Sequence, residues 1–230
     1  MFLHEGLGSV AMWRDFPRRL VDAVGLPGLV YSRYGYGQSE ALHESRDPRY
    51  MHEEALRALP ELLDQQGIVS PVLVGHSDGG SIALIFAGGA GRAVAGIIAL
   101  APHVLVEPIS VESIAAAREA YLKGDLRQRL GRYHADPDSA FWGWNDIWLE
   151  PAFRDWNIEE YLPHIACPIL AIQGLRDPYG TLEQLRIIAR RAPRVRLLEL
   201  ADCGHVLHRD QPEAVLGACK SFVASLSGSN

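Results

Sequence analysis

One short stretch leaves this chain little freedom of fold. Gly75-His76-Ser77-Asp78-Gly79-Gly80 sits between the apolar run Pro71-Val72-Leu73-Val74 and the apolar segment Ile82-Ala83-Leu84-Ile85-Phe86-Ala87. The pattern predicts a buried strand, a sharp turn and a buried helix, with one serine at the apex. A serine hydroxyl is a weak nucleophile unless the backbone holds it exposed and a neighbouring base takes its proton. A strand-to-helix elbow meets the first requirement, because Gly75 and Gly79, two before and two after the apex, leave room for a strained turn. The helix that follows brings free N–H groups and the positive end of its dipole beside the serine oxygen. A purely structural glycine turn is the plain alternative, and it asks nothing of the rest of the chain. A nucleophile elbow asks for an acid and then a histidine, each on a loop after a later strand.

Both follow in that order. Cys167-Pro168-Ile169-Leu170-Ala171-Ile172-Gln173 reads as a strand, and Gly174-Leu175-Arg176-Asp177-Pro178-Tyr179-Gly180 as the loop leaving it. Val195 to Leu200 reads as a final strand, followed by Ala201-Asp202-Cys203-Gly204-His205. The candidate nucleophile, acid and base are therefore Ser77, Asp177 and His205. Each has a plainer reading. Asp177 precedes a proline and is suited to opening a turn. Asp202 is nearer to His205 but shares its short turn, and His208 is a second candidate base.

With these pieces the chain resembles the α/β-hydrolase superfamily over almost its whole length. The resemblance rests on GHSDGG, on GLRDPYG after a strand, on CGHVLHRDQPEAV near the end and on SRYGYGQS early on. It implies an α/β fold, a mostly parallel sheet with helices on both faces, and catalytic roles for Ser77, Asp177 and His205. It implies an oxyanion hole made by the backbone N–H of Asp78 and by a second donor from the loop His4-Glu5-Gly6-Leu7-Gly8-Ser9. The family pattern is His-Gly followed by the donor, so His4-Glu5-Gly6 shifts the register. Leu7 is the first choice for the donor and Gly6 the second. Glu5 reads either as a solvated loop residue or as a charge at the mouth of the site that acts on leaving group or water. Arg33, on the glycine-punctuated loop after Leu29-Val30-Tyr31-Ser32, suits a substrate carboxylate or, more commonly, a loop-bracing ion pair.

Trp13 to Ala23, Tyr50 to Gln66 (kinked at Pro60) and Val94 to Leu100 read as helix, helix and strand. Residues 103–164 then break the strand-helix alternation. They hold helical patterns at Val111 to Lys123 and Asp125 to His134, and four of the five tryptophans: Trp142, Trp144, Trp148 and Trp156. By position this segment matches the family's helical cap (lid), inserted into a core of residues 1–102 and 165–230. Most of its rings are expected to be the cap's own core. Trp144 and Trp148 are the candidates to face a substrate with an apolar or aromatic group.

The superfamily sheet usually opens with two antiparallel strands, and here only Met1-Phe2-Leu3 precedes His4, so those first two strands are expected to be missing. The strand at Leu29 to Ser32 would then lie at an open edge, and a homodimer through that edge is one consequence.

Composition closes off other classes. A chain of 230 residues has material for one core. Its net charge of −6, with no basic run, argues against nucleic acid or an anionic membrane as partner. Three cysteines without pairing or metal spacing, and no leader ahead of the His4 loop, point to the cytoplasm. Gly6-x-Gly8-x-x-Ala11 mimics a dinucleotide fingerprint, but the next strand ends at Ser32-Arg33 without the ribose-binding acid. His52-Glu53 has Leu56 where a zincin needs its second histidine. No cofactor and no metal is expected. The reading reached is a serine hydrolase of a small carboxylic ester, thioester or lactone acting through an acyl-enzyme. A C–C bond hydrolase of the aromatic meta-cleavage type and a non-catalytic small-ligand binder are the alternatives.

Overall fold

The computed structural model describes residues 1–226. In chain order the elements are β1 (Phe2–Leu3), a 3-10 turn (Val10–Trp13), α1 (Phe16–Val24), α2 (Tyr50–Glu53), a π-helical stretch (Glu54–Ala58), α3 (Leu59–Gln65), β2 (Val72–His76) and α4 (Asp78–Gly89). There follow β3 (Gly96–Leu100), α5 (Pro108–Lys123), α6 (Leu126–Leu130) and α7 (Pro137–Leu149), with 3-10 turns at Pro151–Phe153 and Glu159–His164. The chain closes with β4 (Ile169–Gly174), α8 (Glu183–Arg191), β5 (Val195–Leu200), α9 (Leu207–Asp210) and α10 (Pro212–Leu226).

The five strands form one sheet in the order β1-β2-β3-β4-β5, and every pair is parallel. Parallel strands are buried on both faces, and alternate residues here serve two separate cores. Leu73, Ile97 and Ile169 face one core with α3, α4 and α8, while Val74, Ile98 and Leu170 face the other with α1 and α10. Helices therefore cover both faces. α4 is apolar all round and wholly buried from Ile82 to Phe86, because the sheet lies on one side and the turn at Glu159–His164 on the other.

One expectation about the sheet needs correcting. Leu29 to Ser32 is not a strand: only Val30 bridges, in parallel, to Phe2. With β1 itself two residues long, there is no ladder for a longer strand to extend. At Pro60, the missing N–H removes one i→i−4 bond, and the chain answers by widening into the π-helical stretch just before it.

All the elements from α5 to the second 3-10 turn after α7 lie between β3 and β4. The rings of this insertion, expected to form a core of their own, instead join the core that Leu73, Ile97 and Ile169 face. Tyr121 stacks on Phe141 at 3.7 Å, and Phe153 packs on both Trp148 and Trp156. No helix among the described residues is long and apolar enough to cross a membrane.

Candidate active site

Ser77 stands between β2 and α4 with φ 52° and ψ −117°, a conformation that side-chain-bearing residues avoid. Two close backbone approaches hold it there. A Cβ on Gly75 would lie 2.2 Å from the Gly79 carbonyl oxygen, and one on Gly79 would lie 2.0 Å from the Leu3 carbonyl oxygen. Ser77 N–H donates to Leu100 O on the neighbouring strand, and Ser77 O accepts from Gly80 N–H and Ser81 N–H. The elbow is thus tied to the sheet and to the first turn of α4.

Asp177 leaves β4 and His205 follows β5, and the structure brings them together. His205 Nδ1 donates to Asp177 Oδ2 at 2.8 Å. A carboxylate can only accept, so the proton sits on Nδ1 and Nε2 is left to act as base. Gln173 Nε2 (2.7 Å) and Tyr179 N–H (2.8 Å) also donate to Asp177. Burial acts to raise the Asp177 carboxyl, but the His205 bond and charge and the Tyr179 N–H outweigh it and hold it below the usual range. Ser77 and His205 line one cavity of about 500 Å3. No hydrogen bond joins Ser77 Oγ to the ring, a contact that in many triads tightens only in the substrate complex.

The competing assignments separate cleanly. Asp202 is exposed and pairs with Arg176. His208 is buried against Trp13 and Phe16, with ring centroids at 4.9 and 5.2 Å, and burial, then the charge of His76, pushes it down to about 3.

The loop after β1 is fixed from three sides. His4 Nε2 accepts from Arg33 N–H (3.0 Å), which leaves His4 Nδ1–H to donate to Glu5 O (2.7 Å). The Arg33 guanidinium, 1% exposed, donates to the His4 and Glu5 carbonyls, so Arg33 braces the loop and does not reach the cavity. From the insertion, His134 accepts from Gly37 N–H at Nδ1 (2.9 Å) and donates from Nε2 to Leu7 O (3.0 Å). Burial holds His134 below its ordinary value, in keeping with a neutral ring. Gly8 N–H is used by Glu5 O, whereas no hydrogen bond among the described residues takes the N–H of Gly6, Leu7 or Asp78. Gly6 and Leu7 line the cavity, and Asp78 opens α4.

Glu5 is no solvated loop residue. Its side chain is 17% exposed, and Oε2 lies 3.3 Å from Nδ1 of His76, which is fully buried. His76 Nε2 must donate to its other partner, the carbonyl oxygen of His205, at 2.8 Å. Nδ1 therefore faces a carboxylate, and the arrangement holds together only if a proton lies between them. Burial acts to lower His76, but the bond to Glu5 and its charge outweigh that and raise the ring above its ordinary value. Glu5 is correspondingly held well below the usual carboxylate range by His76, despite burial acting to raise it. The pair links the loop after β1 to the main chain of His205.

Trp144 and Trp148 both line the cavity. Trp144 lies over Gly6, where a Cβ would come within 2.3 Å of the indole. Trp148 Nε1 donates to Tyr50 Oη (3.1 Å), and Tyr50 donates to Asp78 Oδ2 (2.7 Å), so a buried relay runs from the insertion to the residue after the serine. Burial raises the Asp78 carboxyl, against the charge of Arg33. Sequence reasoning did not single out His76, His134, Tyr50, His103 or Tyr179. The last two line the cavity beside His205, with ring centroids at 6.1 and 4.9 Å from it. Among the described residues no cluster of three His, Cys, Asp or Glu could hold a metal ion.

The fold and this geometry define an α/β hydrolase. A family model described as the alpha/beta hydrolase family matches residues 1–218, and the chain belongs to that family. It is 24% identical over 202 residues to Esterase YbfF of Escherichia coli K12, covering 77% of each chain. Two solved structures share the fold at 20% identity. A thermophilic esterase from Thermogutta terrifontis aligns with TM-score 0.72 over 98% of this chain and 89% of its own. The esterase EaEST from Exiguobacterium antarcticum aligns with TM-score 0.75 over 97% and 90%.

Proposed function

We propose that the chain is a serine hydrolase of small-molecule carboxylic esters, thioesters and lactones included, working through an acyl-enzyme. The observation that carries this reading is the strained Ser77 opening on the same cavity as His205, whose Nδ1 is bonded to Asp177 at 2.8 Å. In the reaction, Ser77 Oγ adds to the substrate carbonyl as His205 Nε2 takes its proton. The charge that develops on the carbonyl oxygen meets the N–H groups of Asp78 and of Leu7 (or Gly6), each such donor being worth about 3 kcal/mol in reactions of this type. The intermediate collapses, and His205 returns the proton to the departing alcohol or thiol. Water then repeats the sequence on the acyl-serine and frees the acid.

The insertion between β3 and β4 acts as the cap, with Trp144 and Trp148 as the apolar wall against the substrate. Esterase names among the relatives agree with this assignment. A fluorophosphonate probe tests it directly: the protein should be labelled, and Ser77→Ala should abolish labelling together with turnover of aryl esters. Absence of labelling, or labelling that survives Ser77→Ala, overturns the reading in favour of a binding protein on the same fold.

A further inference from the structure

Four arginines stand at the mouth of the cavity and have no part in the chemistry above. Arg14 follows the 3-10 turn, Arg209 lies on α9, Arg129 is in the last turn of α6 and Arg132 comes just after that helix. All four line the cavity, and all are exposed. The overall charge is −6, and most other arginines of the chain are paired with acids. At the mouth only Arg129 is paired, with Asp125 of its own turn at 3.5 Å. Among the described residues, no ion pair or side-chain hydrogen bond engages Arg14, Arg132 or Arg209.

Their placement is held by packing. Trp13 and His208, whose rings lie 4.9 Å apart, immediately precede Arg14 and Arg209 and set these two near each other on the core. Arg129 and Arg132 come from the insertion. Arg14 also has φ 54° and ψ −128°, a backbone state that a non-glycine residue keeps only where its surroundings impose it. Among the described residues Glu5 is the one acid lining the cavity, and His76 compensates it. The depth of the cavity is apolar (Ile114, Leu130, Trp144, Trp148), so an apolar wall leads to a cationic rim.

We infer that the substrate is an ester or thioester bearing an anionic group, carboxylate or phosphate, on the part that projects into this rim. The guanidinium fork suits both anions by paired N–H bonds. A rim of one sign also raises the local concentration of oppositely charged substrate. The two sources of charge are a half-ester or half-thioester of a dicarboxylic acid, and a leaving group that carries phosphate. This inference rests on the serine-hydrolase reading.

The test compares 4-nitrophenyl esters of matched chain length ending in methyl, carboxylate or ammonium. A thioester of a phosphate-bearing thiol, set against its dephosphorylated form, completes the panel. At low ionic strength one or both anionic members should exceed their neutral partner in kcat/KM by about tenfold, mainly through KM, and the ammonium ester should fall below the neutral one. The advantage should shrink at high salt. It should also shrink in each of the double variants Arg14→Gln/Arg209→Gln and Arg129→Gln/Arg132→Gln; the salt titration on the wild-type protein needs no variant. Whether carboxylate or phosphate gains more identifies the source. Neutral esters turned over as well as both anionic members, with no salt dependence, overturn the anionic-substrate inference and leave the serine hydrolase standing. A preference that persists undiminished in both double variants removes it from these arginines. No turnover of any ester, with no fluorophosphonate labelling, overturns the underlying reading and this inference with it.

Discussion

The Glu5–His76 pair offers a sharp test, because its protonation follows from geometry alone. At 3.3 Å and an effective dielectric of about 20, the gross attraction of imidazolium and carboxylate is about 5 kcal/mol. Desolvation of both groups cancels part of this, and the 17% exposure of Glu5 lets solvent screen more of it. Glu5→Ala leaves His76 Nδ1 buried without a partner and should cost about 3 kcal/mol. Glu5→Gln keeps a neutral bond, with the amide N–H donating to Nδ1, and should cost only about 1 kcal/mol near neutral pH. Urea unfolding across pH reads both.

The pH dependence has a definite sign. His76 is raised, so its contribution is complete below its ordinary value of 6.5 and is lost as pH climbs through the raised value. Glu5 is depressed, so its contribution is present above its ordinary 4.5 and lost only in stronger acid. The advantage of wild type over Glu5→Gln should therefore be greatest between those two values and fade on the alkaline side. Equal costs for Ala and Gln, or a wild-type advantage flat from about pH 5 to about pH 9, would refute the ionic pair.

Other outcomes follow from the same geometry. Asp177→Asn keeps the shape but favours the wrong histidine tautomer, and kcat for aryl esters should fall by about 10³–10⁴ in steady-state assays. Gly79→Ala forces a Cβ against the Leu3 carbonyl at 2.0 Å and should cost about 3 kcal/mol or prevent folding, read by thermal melting. His134→Ala frees the Leu7 carbonyl, and kcat should fall about tenfold or more while KM moves little, since only the transition state uses the loop N–H.

What the sequence disclosed is what local backbone geometry demands. Gly75 and Gly79 are readable because no other residue fits within 2.2 Å of a carbonyl, and Asp177 and His205 because each lies on the loop after a strand. The supposed strand at Leu29 to Ser32 had the right composition, but strand length depends on the neighbour, and β1 supplies only two residues. Glu5 stood out as an irregularity, yet its partner His76 lies 71 positions away, and His134 meets Leu7 across 127. Contacts closed over such separations leave no periodicity or spacing in the chain. The arginine rim is scattered over three segments and becomes a feature only when the fold collects it.

The bonds from His134 to Leu7, from Trp148 through Tyr50 to Asp78, and the seat of Trp144 on Gly6 all cross from the insertion to the loops around Ser77. These crossings bear on how such a protein can diversify. An insertion exchanged whole for that of a distant relative would remove the struts of the loop after β1 along with the old cavity wall. New substrate ranges in this lineage are therefore expected to arise by point changes on the cavity wall and rim, with the anchoring residues left in place. Libraries that randomise Ile114, Leu130 or the rim arginines should retain activity far more often than chimaeras joined at β3 and β4.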